Sequence, residues 1–312
     1  TAWDRKLVYA SLDGTNWTPV LQAAGPTGQW ASYSASLTAY AGRQIKLRFL
    51  FDTVDGAYNN HHGWLIDDVV VSAFNGAVSD LFFDNLEGST NWTASGLWRS
   101  ATNRTASGTN SWVYNNGTNY ATGARSSGAI VSKWISLEGA AGATLTFKSW
   151  YRTEDTGASW DRKLVYVSTN GTDWTQVLQV SGPDQQWMTP SCDLGAYAGK
   201  TIRLKFLFDT IDGRMNAYEG WYVDDVRIST VSGAGASAFS EDAEAGTNEW
   251  TAGGLWHLAA DRSASPTRSW AYNNGTNYAT GLRTSGSLVS RWIDLTAASC
   301  VSLTFKSWYE TE

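Results

Sequence analysis

The sequence predicts an all-β fold of tandem antiparallel β-sandwich domains of jelly-roll type, about 157 residues each. Three observations carry this: long segments recur at a fixed offset, apolar residues alternate with polar ones, and Asn-Gly pairs punctuate the alternation. Alternation at period two marks a strand with one buried face. Asn-Gly favours the left-handed two-residue turn that joins such strands.

Taken in order, WDRKLVYAS at Trp3 returns as WDRKLVYVS at Trp160, and YAGRQIKLRFLFDTVDG at Tyr40 as YAGKTIRLKFLFDTIDG at Tyr197. GWLIDDVVV at Gly63 returns as GWYVDDVRI at Gly220, and SGLWRS at Ser95 as GGLWHL at Gly253. YNNGTNYATG at Tyr114 returns unchanged at Tyr272, and LTFKSWYRTE at Leu145 as LTFKSWYETE at Leu303. The offset is 157 up to Asn91 and 158 from Trp92, so one residue near Glu249 is inserted in the later copy, and all 18 Trp fall into equivalent pairs. In Lys200 to Asp209, Ile202, Leu204, Phe206 and Phe208 share a face opposite Thr201, Arg203, Lys205 and Asp209. Leu145, Phe147 and Tyr151 stand likewise against Thr146 and Lys148. Simple parity puts Tyr222, Asp224, Val226 and Ile228 on one face of the GWYVDDVRI segment. The same parity sets Trp150 and Trp221 opposite the main apolar residues of their strands.

Because the GWxxDD strand is followed both times by small polar residues, it reads as the closing strand of a domain with a linker behind it. This phasing gives the C-terminal part of a repeat in 1–74, a complete repeat in 80–231 and the N-terminal part of another in 238–312. The linkers are SAFNGAVSD and STVSGAGASA. The terminal parts are expected to belong to a longer array, or to be completed by neighbouring chains.

The net charge of −6, from 23 basic and 29 acidic side chains, leaves no basic face for nucleic acid, and no apolar run is long enough to cross a bilayer. Cys192 and Cys300 are too few for a disulfide framework and do not occupy equivalent positions, so they read as small buried residues. There is no HExxH, nucleophile elbow or phosphate loop, and His61, His62 and His257 do not recur in the repeat, so no enzyme activity is expected.

The order FxxDNxEG (Phe82 to Gly88), SGLW, SSGAIVS, LTFKSWY, KLVYVS, YAGKTIRLKF and GWYVDDVRI resembles the bacterial extracellular MAM-like jelly-roll domains. These are found beside immune-inhibitor-A-type secreted metalloproteases and in large surface proteins. The resemblance implies a secreted sandwich with an adhesive or accessory role, frequently with a structural calcium ion.

Calcium takes six to eight oxygens, usually from two or more carboxylates gathered from loops. If the first and last strands of a sandwich adjoin, Asp84 and Glu87 meet Asp224 or Asp225. The resemblance maps the ion onto Glu87 and the DD pair. In the other copy the corresponding residues are Asp67, Asp68, Glu241 and Glu244. The alternative is that one Asp of the pair caps a turn and the other faces water. Asp209, Asp212, Glu154 and Asp155 read as turn formers and solvated loop residues. Asn16, Asn91, Asn103, Asn116, Asn170 and Asn274 begin N-x-T triplets that could accept glycans. The tryptophans read mainly as core and packing residues, with stacking on sugar rings as the alternative.

Near-identical tandem units without a site unique to either suggest a secreted structural or adhesive protein of the cell surface. Such a protein would build a fibre, surface layer or stalk from copies of itself, joined head to tail. The alternative is an array of carbohydrate-binding modules accessory to a secreted hydrolase, with glycans as partners.

Overall fold

The computed structural model describes residues 4–23, 28–88, 90–154, 160–233 and 235–312; Trp3 and Asp155 lie outside them. The chain forms two compact units, one from residues 1–76 together with 234–312, the other from 77–233. The linkers are shorter than the composition suggested. Serine- and alanine-rich ends pair through their backbones, so residues 72–74, 78–80, 229–231 and 235–237 lie in strands.

The first part of unit one holds β1 (Arg5–Ser11), β2 (Thr18–Gln22), β3 (Ala31–Ser36), β4 (Gln44–Asp52) and β5 (Gly63–Phe74). Unit two holds β6 (Val78–Asp84), β7 (Trp92–Ala94), β8 (Trp98–Ala101), β9 (Ser111–Tyr114), β10 (Ser127–Ser132) and β11 (Ile135–Ser136). It continues with β12 (Gly142–Arg152), β13 (Arg162–Ser168), β14 (Thr175–Gln179), β15 (Ser191–Asp193), β16 (Thr201–Asp209) and β17 (Gly220–Val231). Unit one resumes with β18 (Gly235–Glu241), β19 (Trp250–Ala252), β20 (Trp256–Ala259), β21 (Ser269–Tyr272), β22 (Ser285–Ser290), β23 (Ile293–Asp294) and β24 (Cys300–Glu310).

In unit two one sheet runs β14-β13-β16-β10-β7 with β11 also on β16, and the other runs β15-β12-β17-β9-β8 with β6 also on β17. All pairings are antiparallel, and the two sheets face each other across one core, as in a jelly roll. Unit one repeats the order strand for strand, β2-β1-β4-β22-β19 and β3-β24-β5-β21-β20. Its sheets take strands from both ends of the same chain, the parts expected from the sequence to belong to a longer array or to be completed by neighbouring chains.

Each core is aromatic. Trp221, Trp98, Trp92, Phe206, Phe208, Tyr114 and Tyr120 pack in unit two, and Trp64, Trp256, Trp250, Phe49, Phe51, Tyr272 and Tyr278 in unit one. Rings meet edge-on or tilted, as for Trp98 on Trp221 with centroids 5.4 Å apart. Trp150 and Trp308 instead lie buried in small clusters on the outer side of the β12 and β24 sheets.

Simple parity fails in the closing strand. Trp221 and Val223 enter the core, and so do Val226 and Ile228, whereas Tyr222 joins Trp150 on the other face. The reason is a β-bulge. Pairing with β12 shifts between Thr146 and Lys148, so Asp225 and Val226 together oppose Phe147. Asp225 sits there in the left-handed region at φ 46, and Asp68 does the same at φ 49 in β5. One extra residue resets which side chains face inward. Both cysteines are buried and unpaired, one in each unit.

Candidate binding face and carboxylate anchors

The sequence reading placed Asp84 and Glu87 near the Asp224-Asp225 pair, and the topology does bring these elements together. β6 pairs with β17 so that Asp84 stands opposite Val226. The carboxylates then converge on the loop before β9. Asp224 Oδ2 accepts the backbone N–H groups of Ala106 and Ser107 at 2.8 and 3.2 Å, while Oδ1 accepts that of Asp225. Asp225 Oδ1 accepts the Ser107 hydroxyl at 2.6 Å. Glu87 takes four donors, the backbone and side chain of Thr109 and of Asn110, at 2.6 to 2.9 Å. These bonds to the charged form hold the Glu87 pKa down at about 2. Asp224, fully enclosed, has its pKa raised by burial despite its three amide donors.

Asp84 serves its own turn. It accepts from Leu86 N–H, Asn91 Nδ2 and the Trp92 indole at 2.8, 3.0 and 3.1 Å. The other copy is built alike. Asp67 accepts from the amides of Ala264 and Ser265, and Glu244 from Thr267 and Arg268. Glu241, one methylene longer than Asp84, reaches both the Trp250 and the Trp270 indoles, at 2.7 and 3.3 Å. Burial raises the Glu241 and Asp68 carboxyl pKa values.

A carboxylate offers about four lone-pair sites, and all four of Glu87 point at protein donors. Asp224, Asp225 and Glu87 thus hold the loop 104–110, and Asp67 and Glu244 hold the loop 262–268, while Asp84 and Glu241 brace their own turns. Among the described residues no group of three His, Cys, Asp or Glu side chains is placed to hold a metal ion. Asp224 is buried and binds loop amides, where the alternative reading had one Asp of the pair capping a turn and the other facing water. The sequon asparagines are similarly employed. Asn16, Asn91, Asn103 and Asn170 donate to Asp13, Asp84, the Tyr222 hydroxyl and Asp173 at 2.7 to 3.0 Å, while Asn116 and Asn274 sit exposed in turns. Asp209 pairs with Arg125 at 2.6 Å, and Asp212 caps the turn at Arg214 N–H.

The feature missed from the sequence lies on the solvent face of the β13–β16 sheet. Alternation sends Tyr166 of β13 and Arg203 and Lys205 of β16 outward, and register sets Tyr166 opposite Lys205 and Ser168 opposite Arg203. Lys205 Nζ lies 4.2 Å from the Trp174 ring and 4.7 Å from the Tyr166 ring, and the Arg203 guanidinium lies 5.7 Å from Trp134. Trp134 is 49% exposed. Unit one reproduces the arrangement with its two cations exchanged. Arg48 lies 4.5 Å from both Tyr9 and Trp17, and Lys46 lies 5.3 Å from the exposed Trp292. Partial burial lowers the pKa of Lys205 and of Arg48. No acidic side chain is paired with either cation among the described residues. The signal was present in the sequence as tryptophans and outward cations repeated in both copies; their convergence needed the register.

The model of the family described as "Immune inhibitor A-like, MAM domain" matches residues 100–259, one repeat length. The chain is 28% identical over 238 residues to Bacillopeptidase F of Bacillus subtilis strain 168, covering 73% of this chain and 16% of that protein. It is 33% identical over 107 residues to the pre-pro-metalloprotease PrtV of Vibrio cholerae, covering 31% of this chain and 11% of that one. The chain thus spans less than a fifth of the length of either relative. Among solved structures, it is similar to the CBM22-1 xylan-binding domain of Paenibacillus barcinonensis Xyn10C at 16% identity and a TM-score of 0.33, covering 51% of this chain and 99% of that one.

Proposed function

Because the chain belongs to the immune inhibitor A-like MAM domain family, we propose that it is a non-catalytic pair of extracellular glycan-binding modules, carried beside the catalytic part of a secreted hydrolase. The observation that carries this reading is the ring–cation–ring row on one outer sheet face of each unit, kept in both copies although its Lys and Arg trade places. Flat apolar rings stack on the C–H faces of sugars, and the cations beside them donate hydrogen bonds to hydroxyls or carboxylates. Exposed aromatic area on a rigid sheet is also costly to keep in water unless something binds it. Glycan binding is placed before the fibre or surface-layer reading, which drew on the near-identical tandem units and, further, on terminal parts completed by neighbouring chains. In this structure those parts pair with each other inside one chain.

The test is affinity electrophoresis of the whole chain through gels containing neutral and uronate-bearing polysaccharides. Retardation is expected in at least one gel. Substituting Trp134, Trp174, Trp17 and Trp292 together by Ala should abolish it, each ring contributing about 1 kcal/mol, with melting temperature little changed. Free migration of the wild-type chain in every gel would remove the glycan reading.

A further inference from the structure

Both units leave the same oxygens without hydrogen-bond donors. In unit two Asp161, just before β13, is fully buried at φ 54. Its Oδ2 accepts the Tyr120 hydroxyl and, at 2.9 Å, the Glu154 N–H, while Oδ1 is buried with no donor. Asn216, 3% exposed, donates Nδ2 to the Asp212 carbonyl at 3.1 Å, which turns Oδ1 away from that carbonyl, again buried with no donor. In unit one Asp4 Oδ2 accepts the Tyr278 hydroxyl and, at 3.2 Å, the Glu312 N–H, while Asp4 Oδ1 has no donor. Asn59 Nδ2 donates to the Asp55 carbonyl at 3.2 Å, and Asn59 Oδ1 and Glu312 Oε2 are likewise buried without donors.

The topology gathers these groups at one end of each sandwich. Arg162 pairs with Asp209, so Asp161 adjoins the exit of β16, and Arg152 pairs with Gly220, so Thr153 and Glu154 adjoin the entry of β17. The loop 210–219, which carries Asp212 and Asn216, connects those two points, and the carboxylate of Asp212 acts on Asp161 through space. In unit one Arg5 pairs with Asp52 and Glu310 with Gly63, the loop 53–62 connects the same points, and Glu312 acts on Asp4. Each loop holds two non-glycine residues in the left-handed region, Val54 and Tyr58 in one, Ile211 and Met215 in the other. For the β-branched Val54 and Ile211 that conformation is unusually costly.

A buried acceptor without a donor destabilises the fold by about 1–3 kcal/mol, and here such acceptors recur at matching positions in both copies. The nearby ammonium groups do not serve them. Lys163 and Lys6 donate instead to the backbone carbonyls of Asp161 and Asp4. Carboxylate and amide oxygens without donors are the ligands that a hard divalent cation takes. We propose that each unit binds a calcium ion at this end, through Asp161 Oδ1 and Asn216 Oδ1 in unit two and through Asp4 Oδ1, Asn59 Oδ1 and Glu312 Oε2 in unit one, fixing the strained loop that leads into the closing strand. Loop carbonyls and water complete the coordination.

The test is equilibrium dialysis of the EDTA-stripped whole chain against calcium, with thermal melts in calcium and in EDTA. Saturable binding that includes one ion per unit is expected, with a higher melting temperature in calcium. The pair Asn59→Leu and Asn216→Leu should remove those two ions from the stoichiometry. Asn216→Asp, which preserves the shape, should tighten calcium binding by about tenfold through its added charge and lower the melting temperature in EDTA. A wild-type melt and dialysis indifferent to calcium at millimolar concentration would mean that water fills these oxygens, overturning the proposal. Calcium binding that neither the Leu nor the Asp variants alter would place the ion elsewhere and overturn it equally.

Discussion

Asp225 shows how one residue redirects a strand. Its left-handed backbone makes the bulge that brings Trp221 and Val226 into the same core, and left-handed geometry suits Asp and Asn far better than β-branched residues. Asp225→Asn should therefore stay within about 0.5 kcal/mol of wild type, while Asp225→Val should lose roughly 2 kcal/mol, both read by urea denaturation. An Asn variant as damaging as Val would show that the backbone is not the reason. Trp221 is fully buried and donates its indole N–H to Ser149 at 2.9 Å; Trp221→Ala should remove about 3–5 kcal/mol. Glu87 carries the pH dependence of its loop. Its pKa falls from an ordinary 4.5 to about 2 in the fold, so its contribution is present above pH 4.5 and is lost as pH falls towards 2. Protection of the amides in the loop 104–110, taken relative to their intrinsic exchange rate at each pH, should fall over that window, and Glu87→Gln should leave that protection flat with pH.

At the scale of elements, the two copies act as controls for each other. β15 of unit two carries Asp193 where the paired segment of unit one, β3, has Ser36. Burial pushes the Asp193 carboxyl up to about 6 from 3.8. A carboxyl with a raised pKa favours the fold while protonated, so this contribution is present below about pH 3.8 and is lost as pH rises through 6. Asp193→Ser should raise the stability of unit two at pH 7 by on the order of 1–2 kcal/mol. Its calorimetric transition should also lose its slope between pH 4 and 6. A variant less stable at pH 7 would mean that the bonds Asp193 accepts, that of Gly195 N–H at 3.2 Å among them, outweigh the burial of its charge. The anchoring of loop 104–110 by Asp224 is an element-scale device as well, because it ties the approach to β9 onto the strand that β9 pairs with.

For the whole molecule, the two units share one strand order but not one connectivity, since unit one is assembled from both ends of the chain and unit two is continuous. A fragment of residues 77–233 should fold alone. A permuted chain running 234–312, a short Gly-Ser bridge, then 1–76 should fold too, each with one cooperative melt followed by circular dichroism. A permuted chain that stays unfolded would show that unit one needs unit two in its covalent path. The repeat, the strands and the all-β class were legible in the sequence because alternation and turn chemistry act over a few residues, and duplication states each segment twice. The neighbouring placement of Asp84 and the DD strand was legible as well, from the rule that opening and closing strands adjoin. Register and accommodation of the bulge were not, because a single inserted residue in the left-handed region reverses every later side chain and no local pattern announces it. The row of Trp174, Lys205, Tyr166, Arg203 and Trp134, and the orphaned oxygens of Asp161 and Asn216, come from strands far apart in the chain. Their meeting was decided by cross-strand pairing, a tertiary property. The sequence alone thus determined the units and their class, and the tertiary structure decided which chemistry faces outward, because burial and register are set only when all the strands have found their partners.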